Sequence, residues 1–375
     1  MSETLSRIPT GMRYYFGPEA RLRRSIEAAI IAIFEGWSYE EITTPTIDYY
    51  SLFSHAMGSS EAHRAFRFSD TDGRLLTVRP DVTSAVARAA ATIFANRSRP
   101  LRFCYVAPVF RQQPRSHAEW RRESIQIGCE LIGANTSVAD MELLAILCEV
   151  LEGLDLARNS SITLNDVEIF NGIADELKLD FAARDKLRRL VDTRNTADLD
   201  EFLKPYAGVN DAVALSDLTQ LSGKGEILKA ARKCIANPKS LAALDRLDRL
   251  WSVIDSLGLS QKFEIDLGDV SRLDYYTGLT FRVYVDGAGS PIGSGGRYDG
   301  LTASFGQAEP AIGFVLELDA LTDVLLSRSE ASVVIDSREK ASPLIESNLS
   351  QLFGAAIARR AQGERIVVEK VEVAS

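Results

Sequence analysis

The stretch Val270-Ser271-Arg272-Leu273-Asp274-Tyr275-Tyr276-Thr277-Gly278-Leu279-Thr280-Phe281 sets two adjacent tyrosines after an aspartate. Leu279, Phe281, Val283 and Val285 then alternate with polar residues, the pattern of a loop feeding a half-buried strand. The stretch supports two readings. In one, aromatic side chains simply fill a core beside a strand they favour. In the other, the phenol hydroxyls and the carboxylate converge on a small polar ligand. The flanking sequence decides between them.

Other strands surround it. Leu101 to Arg111 and Glu123 to Gly133 both read as strands, separated by a polar loop. In the second, a period of two puts Gln126, Gly128 and Glu130 on one face and Ile125, Ile127, Cys129 and Leu131 on the other. Polar residues around a small glycine leave a ligand-sized gap, unless that face simply meets solvent. Ile162 to Val167, Phe263 to Gly268 and Ala311 onward complete the set, the last running into a helix. Phe66 to Arg79 reads as a hairpin turning at Asp70-Thr71-Asp72-Gly73. It leads to Arg79-Pro80-Asp81-Val82-Thr83 and a helix over 84–95. Asp81 and Thr83 there serve as a helix cap, or present a carboxylate and a hydroxyl to an ammonium group. The glycine-rich run 293–300 lacks the lysine of a phosphate-binding loop and its spacing, so alone it is weak.

Helices frame these strands. Pro18 to Glu35 carries Ala20, Ile26, Ala29, Ile30, Ile33 and Phe34 at helical spacing and stops at Gly36. A strand over 39–47 ended by Pro45 follows, then a helix through Leu52 and Phe53, a unit suited to forming a dimer. Ser137 to Leu154 is amphipathic. Residues 173–257 carry helical periodicity and no strand pattern, so they are expected to be a helical insertion within a core spanning 1–322. Residues 323–375 form a short extension. In it, Ser332 to Asp336 is expected to be a strand, Pro343 to Gln362 a helix and Arg365 to Val371 a strand, too small for a domain of usual size.

The chain has 375 residues, 46% hydrophobic and 25% charged, with a net charge of −9. That is an ordinary globular composition, and the negative balance argues against a broad nucleic-acid surface. No apolar run has membrane-spanning length, and the N-terminus lacks the apolar centre of a signal peptide. The four cysteines form no Cys-x-x-Cys pair, and only three histidines are present. A reducing, cytoplasmic location is expected, with no metal site and no cofactor.

In their order, Glu41-Ile42-Thr43-Thr44-Pro45, Arg79 to Thr83, Phe110-Arg111 through Gly128-Cys129-Glu130, Leu273 to Gly278 and Gly295 to Leu301 resemble the catalytic core of class II aminoacyl-tRNA synthetases, histidyl-tRNA synthetase in particular. The resemblance covers residues 8–322. It implies an α+β fold, a six- or seven-stranded antiparallel sheet flanked by helices, in a dimer. It also implies roles: Asp81 and Thr83 hold the amino group of histidine and Arg111 its carboxylate. Gln126, Glu130, Tyr275 and Tyr276 line the pocket, the last groups reading the imidazole.

The departures are as informative. Where the synthetases carry a catalytic arginine and a glycine, this chain has Ser271 and Arg272. Where they carry a glycine, then Glu-Arg to bind the ATP γ-phosphate, it has Glu317, Asp319 and Ala320. Gln113 replaces a glutamate. Transition-state stabilisation on a polyphosphate is largely electrostatic, and losing one such arginine costs about 10³–10⁵ in rate by analogy with arginine fingers. By the same resemblance, the anticodon-binding domain is expected to be reduced to the short extension. A synthetase core that keeps the histidine pocket and loses ATP chemistry resembles the regulatory subunit family of ATP phosphoribosyltransferase. That resemblance implies a non-catalytic chain assembled with a short-form catalytic subunit in a hetero-octamer, four of each, at the first step of histidine biosynthesis. It also implies allosteric feedback by L-histidine and no tRNA binding. The alternatives are a divergent active histidyl-tRNA synthetase and a free-standing histidine-sensing scaffold.

Overall fold

The computed structural model describes residues 7–113, 120–134, 137–270, 275–328, 342–344, 349–364 and 366–368. The chain opens with helix α1 (Gly17–Gly36), strands β1 (Glu40–Glu41) and β2 (Ile47–Tyr49), and helices α2 (Tyr50–Ala56) and α3 (Ser59–Ala62). Strands β3 (Arg67–Ser69) and β4 (Leu75–Val78), helix α4 (Thr83–Ala91), strands β5 (Leu101–Phe110) and β6 (Glu123–Ile132), helix α5 (Ser137–Gly153) and strand β7 (Ser160–Asp166) follow. A helical run comes next: α6 (Val167–Glu176), α7 (Phe181–Asp192), α8 (Thr196–Leu203), α9 (Asn210–Leu218), the short strand β8 (Ser222–Gly223), α10 (Ile227–Cys234) and α11 (Pro238–Ser256). Strands β9 (Phe263–Asp266), β10 (Leu279–Val285), β11 (Gly293–Arg297) and β12 (Ala311–Glu317) then lead into α12 (Leu318–Arg328). The extension holds β13 (Ser342–Leu344), α13 (Leu349–Ala361) and β14 (Ile366–Val368).

Among the described residues the main sheet has nine strands in the order β1-β5-β6-β12-β11-β10-β7-β9-β8. The run from β5 to β7 is antiparallel throughout. The expected sheet of six or seven antiparallel strands is therefore its centre, and short strands widen it. At one side β1 pairs parallel with β5; at the other β9 pairs parallel with β7 and β8 antiparallel with β9. Residues 39–47 do not form one strand. Ile42 N–H still reaches the Cys104 carbonyl at 2.8 Å, but Pro45 has no N–H for a ladder, and the chain leaves for a separate sheet ordered β2-β4-β3. Buried Arg79 ties that sheet to the main one, donating to the Pro108 and Thr44 carbonyls, each at 2.7 Å.

Alternation gives the main sheet two faces of different character. One carries Ile127, Cys129, Leu131, Phe281, Val283, Ile312, Phe314 and Leu316. Onto it pack Ile26, Ile30 and Phe34 of α1, Leu143, Leu144 and Leu147 of α5, and Leu321 and Val324 of α12. Phe34 meets Phe314 edge-on at 5.8 Å. The register sets the other face: Glu130 lies opposite Gly313, Gly313 opposite Gly296, Gly296 opposite Thr280 and Thr280 opposite Asn165. This second face is the floor of a cleft.

Three further expectations are corrected. Helix α4 ends at Ala91 rather than Ala95, where the Thr92 hydroxyl takes the Arg88 carbonyl at 2.7 Å and the Arg99 guanidinium the Ala90 carbonyl at 3.2 Å. The helical run begins at Val167 rather than Ile173, because the Asp166 carboxylate accepts the Glu168 N–H at 3.0 Å and caps α6 directly off β7. Its periodicity also hid the short strand β8. In the extension, Pro343 lies in a strand and not a helix; β13 and β14 form a two-stranded sheet, in which an edge position tolerates the missing N–H. The strand expected over Ser332 to Asp336 lies outside the described residues.

Phe170, Ile173, Leu247 and Ile254 of the helical run belong to the same buried cluster as Ile265, Phe281 and Val283 of the sheet. Leu247→Ala is therefore expected to cost about 2–5 kcal/mol. Chemical denaturation followed by both far-UV circular dichroism and tryptophan fluorescence should report one shifted transition for the whole chain; two separate transitions would contradict a shared core.

Candidate functional site

Over the second face of the sheet lies a cleft of about 470 Å³. Asp81, Thr83, Arg111, Gln126, Glu130, Tyr275 and Tyr276 all border it, so the structure brings the residues singled out from the sequence into one place. Gln126 and Glu130 are 4% and 1% exposed, which removes the reading of that strand face as solvated.

Glu130 is the centre of one end. Its carboxylate accepts hydrogen bonds from the hydroxyls of Thr83 at 2.7 Å, Tyr105 at 3.1 Å and Tyr298 at 2.5 Å. The space it uses exists because Gly313 faces it: a Cβ at Gly313 would stand 1.7 Å from Glu130 Oε2. Burial pushes the Glu130 carboxyl up to about 7, the nearby Asp81 charge adding to the rise and the three hydroxyls opposing it. Asp81 does cap the start of α4, its Oδ2 accepting the Ser84 N–H at 2.9 Å and the Ser84 hydroxyl at 2.7 Å. The capping and ligand-site readings are thus not exclusive, since Asp81 also borders the cleft. The gap expected over Gly128 is occupied by the Tyr105 phenol, whose oxygen would lie 2.7 Å from a Cβ there.

Tyr275 and Tyr276 meet edge to face at 4.9 Å, and Tyr275 meets Tyr298 the same way at 6.0 Å. Burial raises the pKa of Tyr275, Tyr276 and Tyr298, so all stay protonated donors at neutral pH. The Arg297-Tyr298-Asp299 turn is pinned on both sides. Arg297 pairs with Asp140 at 2.7 Å and Asp299 at 3.1 Å, and Asp299 accepts the Ala311 N–H at 2.9 Å.

The other end of the cleft is acidic. Glu317 lies opposite Gln126 in the ladder, and its Oε1 accepts from Gln126 Nε2 at 2.9 Å. Gln126 Oε1 is buried with no hydrogen-bond partner among the described residues. Asp319, 3% exposed, accepts from Arg23 Nη1 at 2.9 Å, from the Ile125 N–H at 3.0 Å and from the Tyr15 hydroxyl. Arg121 Nε stands 3.9 Å from it, while Arg121 Nη2 pairs with Asp323 at 2.7 Å. Ala320 borders the cleft in the first turn of α12. Ser271, Arg272 and Asp274 lie outside the described residues, and Gln113 is exposed and does not border the cleft. On β10, Arg282 bridges Asp192 of α7 at 3.0 Å and Asp269 at 2.8 Å. Burial pushes Asp269 up to about 6 despite that arginine.

Sequence reasoning missed Tyr105, Tyr298 and the Asp192–Arg282–Asp269 bridge. Tyr105 lies opposite Gly128 through the β5–β6 register, which the alternation of neither strand alone supplies. Tyr298 sat inside a quoted motif without a role. The bridge joins residues 90 apart in sequence and left no local signal. Among the described residues, no group of histidine, cysteine, aspartate and glutamate could hold a metal ion, and no helix is long and apolar enough to cross a membrane.

An antiparallel synthetase-type sheet, a buried carboxylate ringed by phenols and an acidic end opposite it define a histidyl-tRNA synthetase-like protein, and comparison with known proteins agrees. The histidyl-tRNA synthetase family profile matches residues 11–321. The chain is 33% identical to the ATP phosphoribosyltransferase regulatory subunit of Geobacillus thermodenitrificans over 97% of this chain and 90% of the relative. It is 35% identical to that of Moorella thermoacetica over 87% of this chain and 82% of the relative. A crystal structure from Bacillus halodurans, described as an ATP phosphoribosyltransferase regulatory subunit/histidyl-tRNA synthetase, superposes with a TM-score of 0.82 at 28% identity, covering 100% of this chain and 95% of that one. Histidyl-tRNA synthetase from Nostoc shares the fold, with a TM-score of 0.76 at 20% identity over 99% of this chain and 88% of that one. The chain belongs to the ATP phosphoribosyltransferase regulatory subunit family, within the histidyl-tRNA synthetase-like proteins.

Glu130 gives the site a pH signature. Its folded value of about 7 lies above the ordinary 4.5, so the folded protein holds an extra proton between those values. The stability this adds is complete below about pH 4.5 and is lost as pH rises through about 7, on the order of 3 kcal/mol in all. Glu130→Gln should remove that slope, measured by denaturant unfolding of the unliganded protein from about pH 5 to about pH 8; equal slopes in both proteins would contradict the assignment.

Proposed function

We propose that this chain is the non-catalytic regulatory subunit of an ATP phosphoribosyltransferase, assembled with a short-form catalytic subunit and bound to L-histidine in the cleft. The observation that carries the reading is the division of the cleft: one end keeps a buried carboxylate among hydroxyls, and the other carries Glu317 and Asp319. Histidine offers an ammonium, a carboxylate and an imidazole N–H. Asp81 and Thr83 are assigned to the ammonium, Arg111 to the carboxylate, and Gln126, Glu130, Tyr275 and Tyr276 to the pocket and the imidazole. A cleft built from such donors and acceptors rejects ligands that leave them unpaired.

Adenylation requires cations placed against a polyphosphate. Glu317, Asp319 and Ala320 supply none, and Arg23 is already paired with Asp319; with Ser271 at the other lost position, aminoacylation is not expected. The reading includes self-association as a dimer, a hetero-octamer of four subunits of each kind, a cytoplasmic location, no cofactor, no tRNA binding, and a core over 1–322 interrupted by the helical insertion that starts at Val167, with 323–375 as an extension. Histidine regulates such an assembly only through different affinities for its active and inhibited states.

The direct test is phosphoribosyltransferase activity of the short catalytic subunit with and without this chain, titrated with histidine. Stimulation by the chain and inhibition by histidine are expected; no stimulation overturns the reading, and histidine-dependent ATP–pyrophosphate exchange would favour an active synthetase instead. Glu130→Ala and Tyr275→Phe should each weaken histidine binding by roughly 1–3 kcal/mol in calorimetric titration, the usual cost of an unsatisfied buried partner. Unchanged affinity in both would assign histidine to another site.

A further inference from the structure

Gln126 and Glu317 form a cross-strand pair on the cleft face, directly opposite each other in the β6–β12 ladder. Their contact has a direction. An ionised carboxylate only accepts hydrogen bonds, whereas a glutamine amide has a donor end and an acceptor end. Glu317 therefore takes the amino end, Gln126 Nε2 donating to its Oε1 at 2.9 Å, a charge-assisted bond stronger than a neutral one. Glu317 is itself anchored, its N–H donating to the Ile292 carbonyl at 2.8 Å. The other branch of the amide is thereby set. Gln126 Oε1 is buried with no hydrogen-bond partner among the described residues, and a buried acceptor left unpaired calls for a physical reason. Gln126 borders the cleft together with Asp81, Thr83 and Glu130. It lies four residues from Glu130 on one face of β6, about 13 Å along the strand at about 3.3 Å per residue. A ligand whose ring meets Glu130 thus extends toward Gln126. An ammonium carries three N–H donors; Asp81 and Thr83 supply two acceptors, and Gln126 Oε1 is a third.

We infer that Glu317 is a positioning residue: by holding the Gln126 amino group, it keeps the Gln126 carbonyl oxygen as an acceptor for the ligand's ammonium. The inference rests on the reading of the cleft as an amino-acid site. Without that carboxylate the amide can turn over, which exchanges an acceptor for a donor at nearly the same shape. An amino group facing the ligand repels an ammonium and favours a carboxylate in its place. Glu317 thus sets the preference of the site for an amino acid over its deaminated counterpart. Such a preference is a difference between two affinities, and it is large when the wrong ligand leaves a buried polar group unpaired.

The test is calorimetric titration of the full chain with L-histidine and with imidazole-4-propionate, which is histidine without its amino group. Wild type should prefer histidine. Glu317→Ala should narrow that preference at least about tenfold, chiefly by weakening histidine. Glu317→Gln, which keeps the shape but no longer dictates the orientation of the amide, should narrow it less and carries the test if the alanine variant does not fold. In a Gln126→Leu background the same Glu317 substitution should change the preference no further, since the amide through which it acts is gone. A narrowing that persists in that background overturns the inference, because Glu317 would then act on the ligand directly. Equal weakening of both ligands, or no change in either, overturns it as well. The ligand-free protein gives a second readout, with glutamine labelled selectively with ¹⁵N and the Gln126 side-chain amide assigned by its loss in Gln126→Leu. Its proton held by Glu317 should resonate downfield in wild type and move upfield in Glu317→Ala. A wild type that binds no histidine rejects the amino-acid reading, and the amide signal then decides the positioning role by itself: a moved signal supports it, an unmoved one overturns it.

Discussion

A carboxylate taken out of water must be given donors, and Glu130 draws them from separate parts of the chain: Thr83 at the start of α4, Tyr105 on β5 and Tyr298 after β11. An unsatisfied buried charge would cost several kcal/mol, so these elements are bound to one another through it. Arg79 anchors the loop that delivers Asp81 and Thr83, and the Asp140–Arg297–Asp299 chain holds the turn that delivers Tyr298. Gly313 leaves the space in which they meet. The polar floor, the tyrosine cluster and the mouth of the cleft are all set by this convergence.

The two ends of the cleft then differ in how their charges are balanced. At the Glu130 end the balance is made by neutral hydroxyls, which hold the carboxylate without cancelling it and leave its titration near neutrality. At the far end it is made by arginine–aspartate pairs that neutralise each other locally. The same sheet face therefore presents a responsive acid at one end and a locked ion-pair cluster at the other.

Much of this was readable before the fold was known, and the reasons are local. Period-two alternation in Glu123 to Gly133 needs only the pleat, and it placed Gln126 and Glu130 together. The motifs around Asp81 and Tyr275 gave the rest of the pocket through resemblance. What escaped depends on register between distant strands. Gly313 matters because it lies opposite Glu130, and no property of β12 alone indicates that. Gly128 was read as open space because its partner Tyr105 was not placed across from it. The extra edge strand β8 escaped for a simpler reason: a two-residue strand carries too little alternation to stand out beside long helices.

Arg282 gives the insertion a stake in the cleft. Its guanidinium holds Asp192, the last residue of α7, and Asp269 in one half-buried bridge. Sliding α7 away from the sheet would strand one acid and leave the arginine half-paired at the floor, with Thr163 and Asn165 still gripping Asp269. The helical insertion and the floor of the cleft are thus tied through a single arginine on β10, so the last turn of α7 and the chain at Asp269 share one cation.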